Sequence, residues 1–258
     1  MAHISFSELK IWKQCTHRHK KEYTEKIRSF HGNIHTAFGK AMHSVCEDKL
    51  YNTLPEQIDY LKERLKEEVR VLTEDKKVVI ENDVGEFESQ GIDMIPEILP
   101  ALEDYFDEYE ILETEARLME PLDLEGIDPD FKFKGFIDLI VHSGGKVHII
   151  DWKTCGWGWD ARKRSDPMNT YQLTFYKHYY AQKYDLDPSD VETHFALLKR
   201  TAKKGKKVEF FRVTSGKRKT TNALDLLRKA VINILRGKSI KDRRSCKYCP
   251  LHKTEHCR

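Results

Sequence analysis

The sequence predicts an α/β or α+β sandwich in one main domain covering residues 1–258, and three observations predict it. Apolar residues recur at helical spacing through most of the first 110 residues. At about residue 111 the period switches from helical to the two-residue alternation of strands. From there the order is strands, a helix, two more strands and a last helix, so an all-helical stretch precedes the sheet.

Taken in order, Ser5-Phe6-Ser7-Glu8 reads as a helix start, with Ser5 as the cap and Glu8 at the acidic position of a capping box. The helix would carry Leu9, Trp12 and Cys15 on one face. Gly39 to Tyr51 forms a second helical pattern, apolar at Met42, Val45, Cys46 and Leu50. Residues 56–77 and 93–110 read as two further helices, charged on one side. Leu112 to Leu122 reads as the first strand, and Phe131 to His142 alternates as a strand with two distinct faces. Ser143-Gly144-Gly145 is a hairpin turn, and Val147 to Lys153 is the return strand. Asp166-Pro167 starts a helix over 168–184, the Asp capping and the Pro at the first position. Strands over 191–199 and 207–213 and a helix over 216–236 complete the order.

The chain has 258 residues and 39% hydrophobic content, the range of a globular protein with a sizeable core. No apolar run reaches the roughly 18 residues of a membrane span, and the first residues lack the apolar segment of a signal peptide, which points to the cytoplasm. The net charge of +3 conceals an asymmetry. Residues 54–130 carry 25 Asp/Glu against 7 Lys/Arg, whereas residues 199–219 carry 10 Lys/Arg against Glu209 alone. Residues 236–247 add 6 basic residues against 1 acidic. A polyanion would therefore meet the C-terminal third, although most charge runs are only solvated surface.

Asp151-Trp152-Lys153 is the tripeptide that carries chemistry. On a strand Asp151 and Lys153 share a face and Trp152 points to the other. Asp138 lies on the preceding strand of the same hairpin, within reach of Asp151. Two carboxylates that close repel unless a cation neutralises them, and carboxylate oxygens are the hard ligands Mg²⁺ or Mn²⁺ prefers. Such an ion activates a bound water and polarises a phosphodiester oxygen. Lys153 would orient the attacking water or offset transition-state charge. Each piece has a bland alternative: a lone Asp-x-Lys is common, His43 on an amphipathic helix suits a core, and Gln172 and Tyr176 at i and i+4 suit a helix surface.

Together these residues resemble the PD-(D/E)XK nuclease signature, with Ile137 in place of its usual proline. Further residues resemble the RecB-like branch: Gly39 to Glu47 with His43 for its first motif, Gly135-Phe136-Ile137-Asp138 for its second, and Gln172-Leu173-Thr174-Phe175-Tyr176 for its helix motif. The resemblance implies a restriction-endonuclease-like core, a mixed sheet flanked by helices, with residues 52–110 as a helical insertion. It also implies His43, Asp138, Asp151 and the Trp152 carbonyl as metal ligands, with Asp138, Asp151 and Lys153 catalytic. Gln172 and Tyr176 would touch DNA. A Mg²⁺- or Mn²⁺-dependent DNA exonuclease is the activity implied, in recombination, repair, phage replication or CRISPR adaptation. A helicase, recombinase or annealing protein would be its partner; no Walker A sequence is present, so a helicase would be separate. A non-catalytic DNA-binding module with a relict site and a structure-specific endonuclease are the rival readings. Glu115 on the first strand faces the same region.

Six cysteines are present, and Cys246, Cys249 and Cys257 crowd the last thirteen residues. Without an export signal that grouping reads as a metal site before it reads as disulfides, and it is one ligand short. The RecB-like branch includes members, among them the AddB subunit and CRISPR-associated nucleases, that close an iron–sulfur cluster with one N-terminal and three C-terminal cysteines. By that resemblance Cys15 is the fourth ligand of a [4Fe–4S] cluster, and residues 240–258 form a staple closed by Cys15. Structural Zn²⁺ on the same thiolates and free cysteines are the alternatives. Cys46 and Cys155 match no motif and read as small core residues.

Overall fold

The computed structural model describes residues 2–27, 30–80 and 83–258. The described strands are β1 (His3–Ser5), β2 (Glu110–Pro121), β3 (Lys132–Ser143), β4 (Lys146–Cys155), β5 (Val191–Lys199) and β6 (Val208–Arg212). The α-helices are α1 (Phe6–Gln14), α2 (Thr16–His19), α3 (Ile34–Asp48), α4 (Leu54–Arg70), α5 (Val84–Phe106), α6 (Ala161–Ser165), α7 (Pro167–Tyr184) and α8 (Lys217–Leu235). No helix among the described residues is long and apolar enough to cross a membrane.

Local chemistry accounts for most boundaries. Ser5 caps α1 by accepting from the Glu8 amide at 3.2 Å, and Asp166 caps α7 by accepting from the Met168 amide at 2.8 Å. Gly144 and Gly145 both take positive φ, 56° and 74°, which a two-residue hairpin turn demands. Helix α3 begins five residues before the Gly39 expected from sequence, because Asn33 and Thr36 form a reciprocal capping box ahead of Ile34. Helix α5 begins at Val84 rather than residue 93, capped by Asp83, and carries Pro96 and Pro100 in its interior.

The strands form one six-stranded mixed sheet. β3 is its hub: β2 runs antiparallel along one side, while β1 (parallel) and β4 (antiparallel) share the other. β4 continues to β5 in parallel register, and β5 to β6 antiparallel. Helices cover both faces. On one, α1, α7 and α8 pack through Leu9, Trp12, Leu173, Phe175, Tyr179 and Leu227 against Ile137, Ile149 and Phe195. On the other, α3, α4 and α5 pack through Phe38, Met42, Leu61, Met94 and Ile98 against Leu139, Ile150, Trp152 and Leu198. Residues 52–110 thus supply much of one of the two core layers.

The charge asymmetry is partly consumed inside the fold. Glu97 of α5 accepts from the backbone amides of Gly205 and Lys207 at 2.6 and 2.8 Å. Lys207 reaches Asp93 at 3.8 Å, Arg200 donates to Gln90 at 2.7 Å, and Lys199 pairs with Glu209 at 3.1 Å. Several cations of residues 199–219, part of the C-terminal third where the charge count places a polyanion, therefore face the acidic α5 or neighbouring strands.

Candidate active site

The sheet register creates the site. β4 pairs with β3 only from Leu139↔Ile150 toward the turn, and β1 pairs with β3 only up to Lys134. Between these limits β3 leaves its neighbours on that side, and Asp138 lies at the divergence. The Trp152 amide, just beyond the last β4 residue paired with β3, donates to Asp138 Oδ2 at 2.8 Å. A carboxylate thus takes the hydrogen bond that strand separation would orphan. Trp152 itself is buried on the opposite face, as the alternation predicts.

Asp151 is buried, and its Oδ2 is ion-paired with the Lys153 ammonium. Its Oδ1 accepts from Gln172 Nε2 of α7 at 2.8 Å, and the same amide nitrogen lies 3.1 Å from the Tyr176 hydroxyl. Gln172 therefore orients Asp151, a task the sequence did not disclose. Tyr176 is buried against Gly135, where an added Cβ would lie 2.7 Å from Tyr176 Cε1; only glycine lets the ring approach.

His43 on α3 points at the same place, its Nδ1 3.6 Å from Asp138 Oδ2 and 3.8 Å from Glu47 Oε1. The Asp151 carboxylate, the Trp152 backbone and Glu115 favour the protonated ring, but they are outweighed. Two groups of described side chains bring their ligand atoms within 4.8 Å of one another and could hold a metal ion: His43, Glu47 and Asp138 here, and His148, Glu192 and His194 elsewhere on the sheet. Glu47, one helical turn after His43, is an addition to the expected ligand set; its signal was the i, i+4 spacing.

The electrostatics suit cation binding. Burial, then Lys153, holds His43 down to about 4, so the imidazole is neutral and has a lone pair to give at ordinary pH. Burial pushes Asp138 and Asp151 up to about 6, against the opposing pull of Lys153. Burial, then Asp138 and Glu115, pushes Glu47 up to about 8. Burial works against the Lys153 charge, but Asp151 and Asp138 outweigh it and raise its proton affinity. Glu115 has φ 49°, a left-handed conformation strained for this residue, in the strand beside Asp138. Lys10 of α1 is a second cation near the site, its proton affinity lowered by burial and then by Lys153. Lys10, Arg18, Tyr23, Lys153 and Gln172 line one cleft, and Lys134, Phe136, Gln172 and Tyr176 an adjoining one.

Crowded carboxylates with raised proton affinity, a neutral imidazole and a paired lysine at diverging strands form the kind of centre that nucleases use to hydrolyse phosphodiesters. The chain belongs to the PD-(D/E)XK nuclease superfamily, whose family model matches residues 3–254. Among solved structures, it is similar to a protein from Eubacterium rectale described as a "Putative exonuclease", at 14% identity and TM-score 0.63, covering 98% of this chain and 88% of that one. A second structure, SSO0001, aligns over 86% of this chain and 96% of its own at 15% identity, but its TM-score of 0.38 carries no argument. A search of curated proteins found no match.

At the other end of the chain, Cys15, Cys246, Cys249 and Cys257 line one pocket with His17, Arg18 and Leu251, and all four are free thiols. Cys15 falls just past α1 as its cap rather than on its apolar face. The turn that holds Cys15 is tied to the C-terminal segment by Thr16 and Ile240, through hydrogen bonds of 2.7 and 3.1 Å. Cys46 is fully buried in the helical layer and Cys155 half-buried at the end of β4.

Proposed function

We propose that the protein is a Mg²⁺- or Mn²⁺-dependent DNA exonuclease of the RecB-like branch. The observation that carries the reading is the convergence of His43, Glu47 and Asp138 within 4.8 Å, beside the Asp151–Lys153 pair. His43, Asp138, Asp151 and the Trp152 carbonyl would hold the ion, and Glu47 is positioned to join them. A bound ion would lower the pKa of its water and polarise the scissile phosphate. Lys153 would align the water and offset negative charge on the phosphate as the leaving oxygen departs. Gln172 would hold Asp151 in its ligating orientation. Gln172 and Tyr176 line the cleft where a DNA strand would lie, with Lys10, Arg18 and Lys134 facing its phosphates.

The four cysteines fit a [4Fe–4S] cluster, with structural Zn²⁺ as the second reading, since four thiols share one pocket without a disulfide. When bound, such a group supplies a structural tie between the first helix and residues 240–258. We treat residues 1–258 as one nuclease domain and 52–110 as its helical insertion. Recombination, repair, phage replication and CRISPR adaptation are the processes proposed for it, beside a helicase, recombinase or annealing protein.

Incubation of the protein with linear duplex, sealed circular and single-stranded DNA, with and without Mn²⁺, tests the reading. Metal-dependent loss of linear but not circular DNA supports the exonuclease. Equal degradation of both points to the endonuclease. No cleavage of any substrate, with binding retained, points to a relict site.

A further inference from the structure

The second ligand cluster lies on β4 and β5, which pair in parallel with His148 opposite Glu192 and Ile150 opposite His194. Neighbouring strands in register share faces, and residues two apart on one strand share a face, so His148, Glu192 and His194 converge on one side of the sheet. His148 precedes Asp151 by three positions on β4. It therefore faces the other side of the sheet, about 10 Å along the strand from the nuclease centre.

The inner nitrogens of the two imidazoles, His148 Nδ1 and His194 Nε2, face each other at 3.0 Å. Each outer nitrogen is held by the protein: His148 Nε2 lies 3.1 Å from the Ser143 carbonyl, and His194 Nδ1 lies 3.1 Å from the Tyr105 hydroxyl. Both rings are buried and walled by Phe106. Lys146 and Arg212 both pair with Oε1 of Glu192, at 3.1 and 3.0 Å, so Oε2 is the oxygen available to a further partner.

A single proton between the rings satisfies this cluster as a hydrogen-bonded chain from Tyr105 through His194 and His148 to Ser143. A cation could take that place with His194 in its other tautomer, the ring hydrogen on Nδ1 donating to the Tyr105 hydroxyl oxygen and the Nε2 lone pair free for the ion. Two ring nitrogens and a carboxylate oxygen are the donor set of zinc-class ions, whereas Mg²⁺ and Ca²⁺ take oxygen alone. Zn–N bonds of about 2.05 Å at a tetrahedral angle place two nitrogens about 3.3 Å apart, so the rings need part by only about 0.3 Å. Outer-nitrogen anchoring by a carbonyl and a hydroxyl is the support that metal-ligating imidazoles receive.

We propose that His148 Nδ1, His194 Nε2 and Glu192 form a second metal site, selective for Zn²⁺ and similar first-row ions and distinct from the nuclease centre. It pins β4 to β5 and, through Tyr105, steadies the end of α5. It touches no reacting group, so its effect is on stability.

The test compares wild type with His194→Gln and Glu192→Gln. Each is loaded with micromolar Zn²⁺ in millimolar Mg²⁺, passed through a desalting column, and assayed for bound zinc and melting temperature. Zinc held by the cysteines is common to all three and cancels. Wild type should retain about one more zinc per chain than either variant and should alone gain thermal stability from zinc at that site. Mg²⁺-dependent cleavage should be the same in all three. If His194→Gln does not fold, Glu192→Gln decides, together with the visible spectrum of added Co²⁺ in wild type minus that variant. Equal zinc content and equal zinc-induced stabilisation in wild type and folded variants overturn the proposal.

Discussion

The backbone amide of Trp152 donates to Asp138 Oδ2 at 2.8 Å, so the tryptophan of the Asp-Trp-Lys tripeptide positions the carboxylate of the other strand. This backbone bond ties β3 to β4 where the two strands diverge, and it does not depend on side-chain identity at 152.

Lys153→Ala should reduce cleavage by about 10²–10³-fold, the usual scale for loss of one preorganised charge-stabilising group. It also leaves Asp151 buried without its cation, so that carboxyl should hold its proton to higher pH than in wild type. The residual activity of the variant should then rise more steeply between pH 6 and 8. Turnover equal to wild type in both Mg²⁺ and Mn²⁺ would refute the role given to Lys153.

Gln172→Leu separates orientation of Asp151 from contact with DNA. Loss of the amide bond to Asp151 Oδ1 should weaken metal affinity by about 10–100-fold, the usual scale for a group that orients a ligand. The deficit should shrink at high Mn²⁺ while KM for DNA stays near wild type. A raised KM for DNA with unchanged metal dependence would assign Gln172 to the substrate instead.

Stabilisation by Mn²⁺ should grow with pH. Asp138 and Asp151 are pushed up to about 6 and Glu47 to about 8, all above their unfolded values of 3.8 and 4.5. For groups shifted this way the metal-free fold binds more protons than the unfolded chain, so their contribution favours folding below about pH 4 and is lost as pH rises through 6 to 8. Metal removes that penalty and competes with those protons. The melting temperature difference between Mn²⁺ and EDTA should therefore be larger at pH 8 than at pH 6, and Glu47→Gln should flatten the change between pH 7 and 9. A difference independent of pH would contradict this electrostatic account.

Gly135→Ala should cost about 1–3 kcal/mol in urea unfolding, because the new methyl would stand 2.7 Å from Tyr176 Cε1 and the buried ring has little room to retreat. Displacing Tyr176 also disturbs Gln172, so activity should fall with stability.

Wild type should purify with iron or zinc on the four cysteines, and Cys15→Ala should lose that metal and lower the melting temperature before it lowers activity. Elemental analysis with visible absorption decides which metal is present. A colourless, metal-free wild type that tolerates the change would leave the four cysteines without the role proposed.

Much of this molecule was legible wherever local chemistry decides structure. Gly144-Gly145 has almost no alternative to a tight hairpin, and Asp166-Pro167 is both cap and first turn. His43 lies beside Asp138, and Lys153 pairs with Asp151. What was missed depends on partners distant in sequence. β1 is three residues long and exists because β3 offers it a free edge. Glu47 looks like one more polar position of α3 until Asp138 arrives opposite it. Gln172 was visible as a motif residue, but its bond to Asp151 needs α7 laid across the end of β4. Likewise, the Glu-x-His of β5 is unremarkable until the parallel register brings His148 alongside.

The docking of the basic turn onto α5 alters what a nucleic acid would experience on arrival. Counterions leave a polyanion only where its phosphates meet cations that are not already neutralised. Within residues 199–219, Lys203, Lys204, Lys206, Lys217 and Arg218 stand exposed, while Lys199, Arg200, Lys207 and Arg212 already engage partners of their own chain. Duplex DNA engaging this stretch would release ions from roughly five phosphates rather than ten, so log K should fall with log salt at a slope of about −4.5 rather than −9. This stretch alone would then hold DNA loosely at physiological ionic strength, and retention of one strand through repeated turnover would depend on the cleft beside the site rather than on this run of charge.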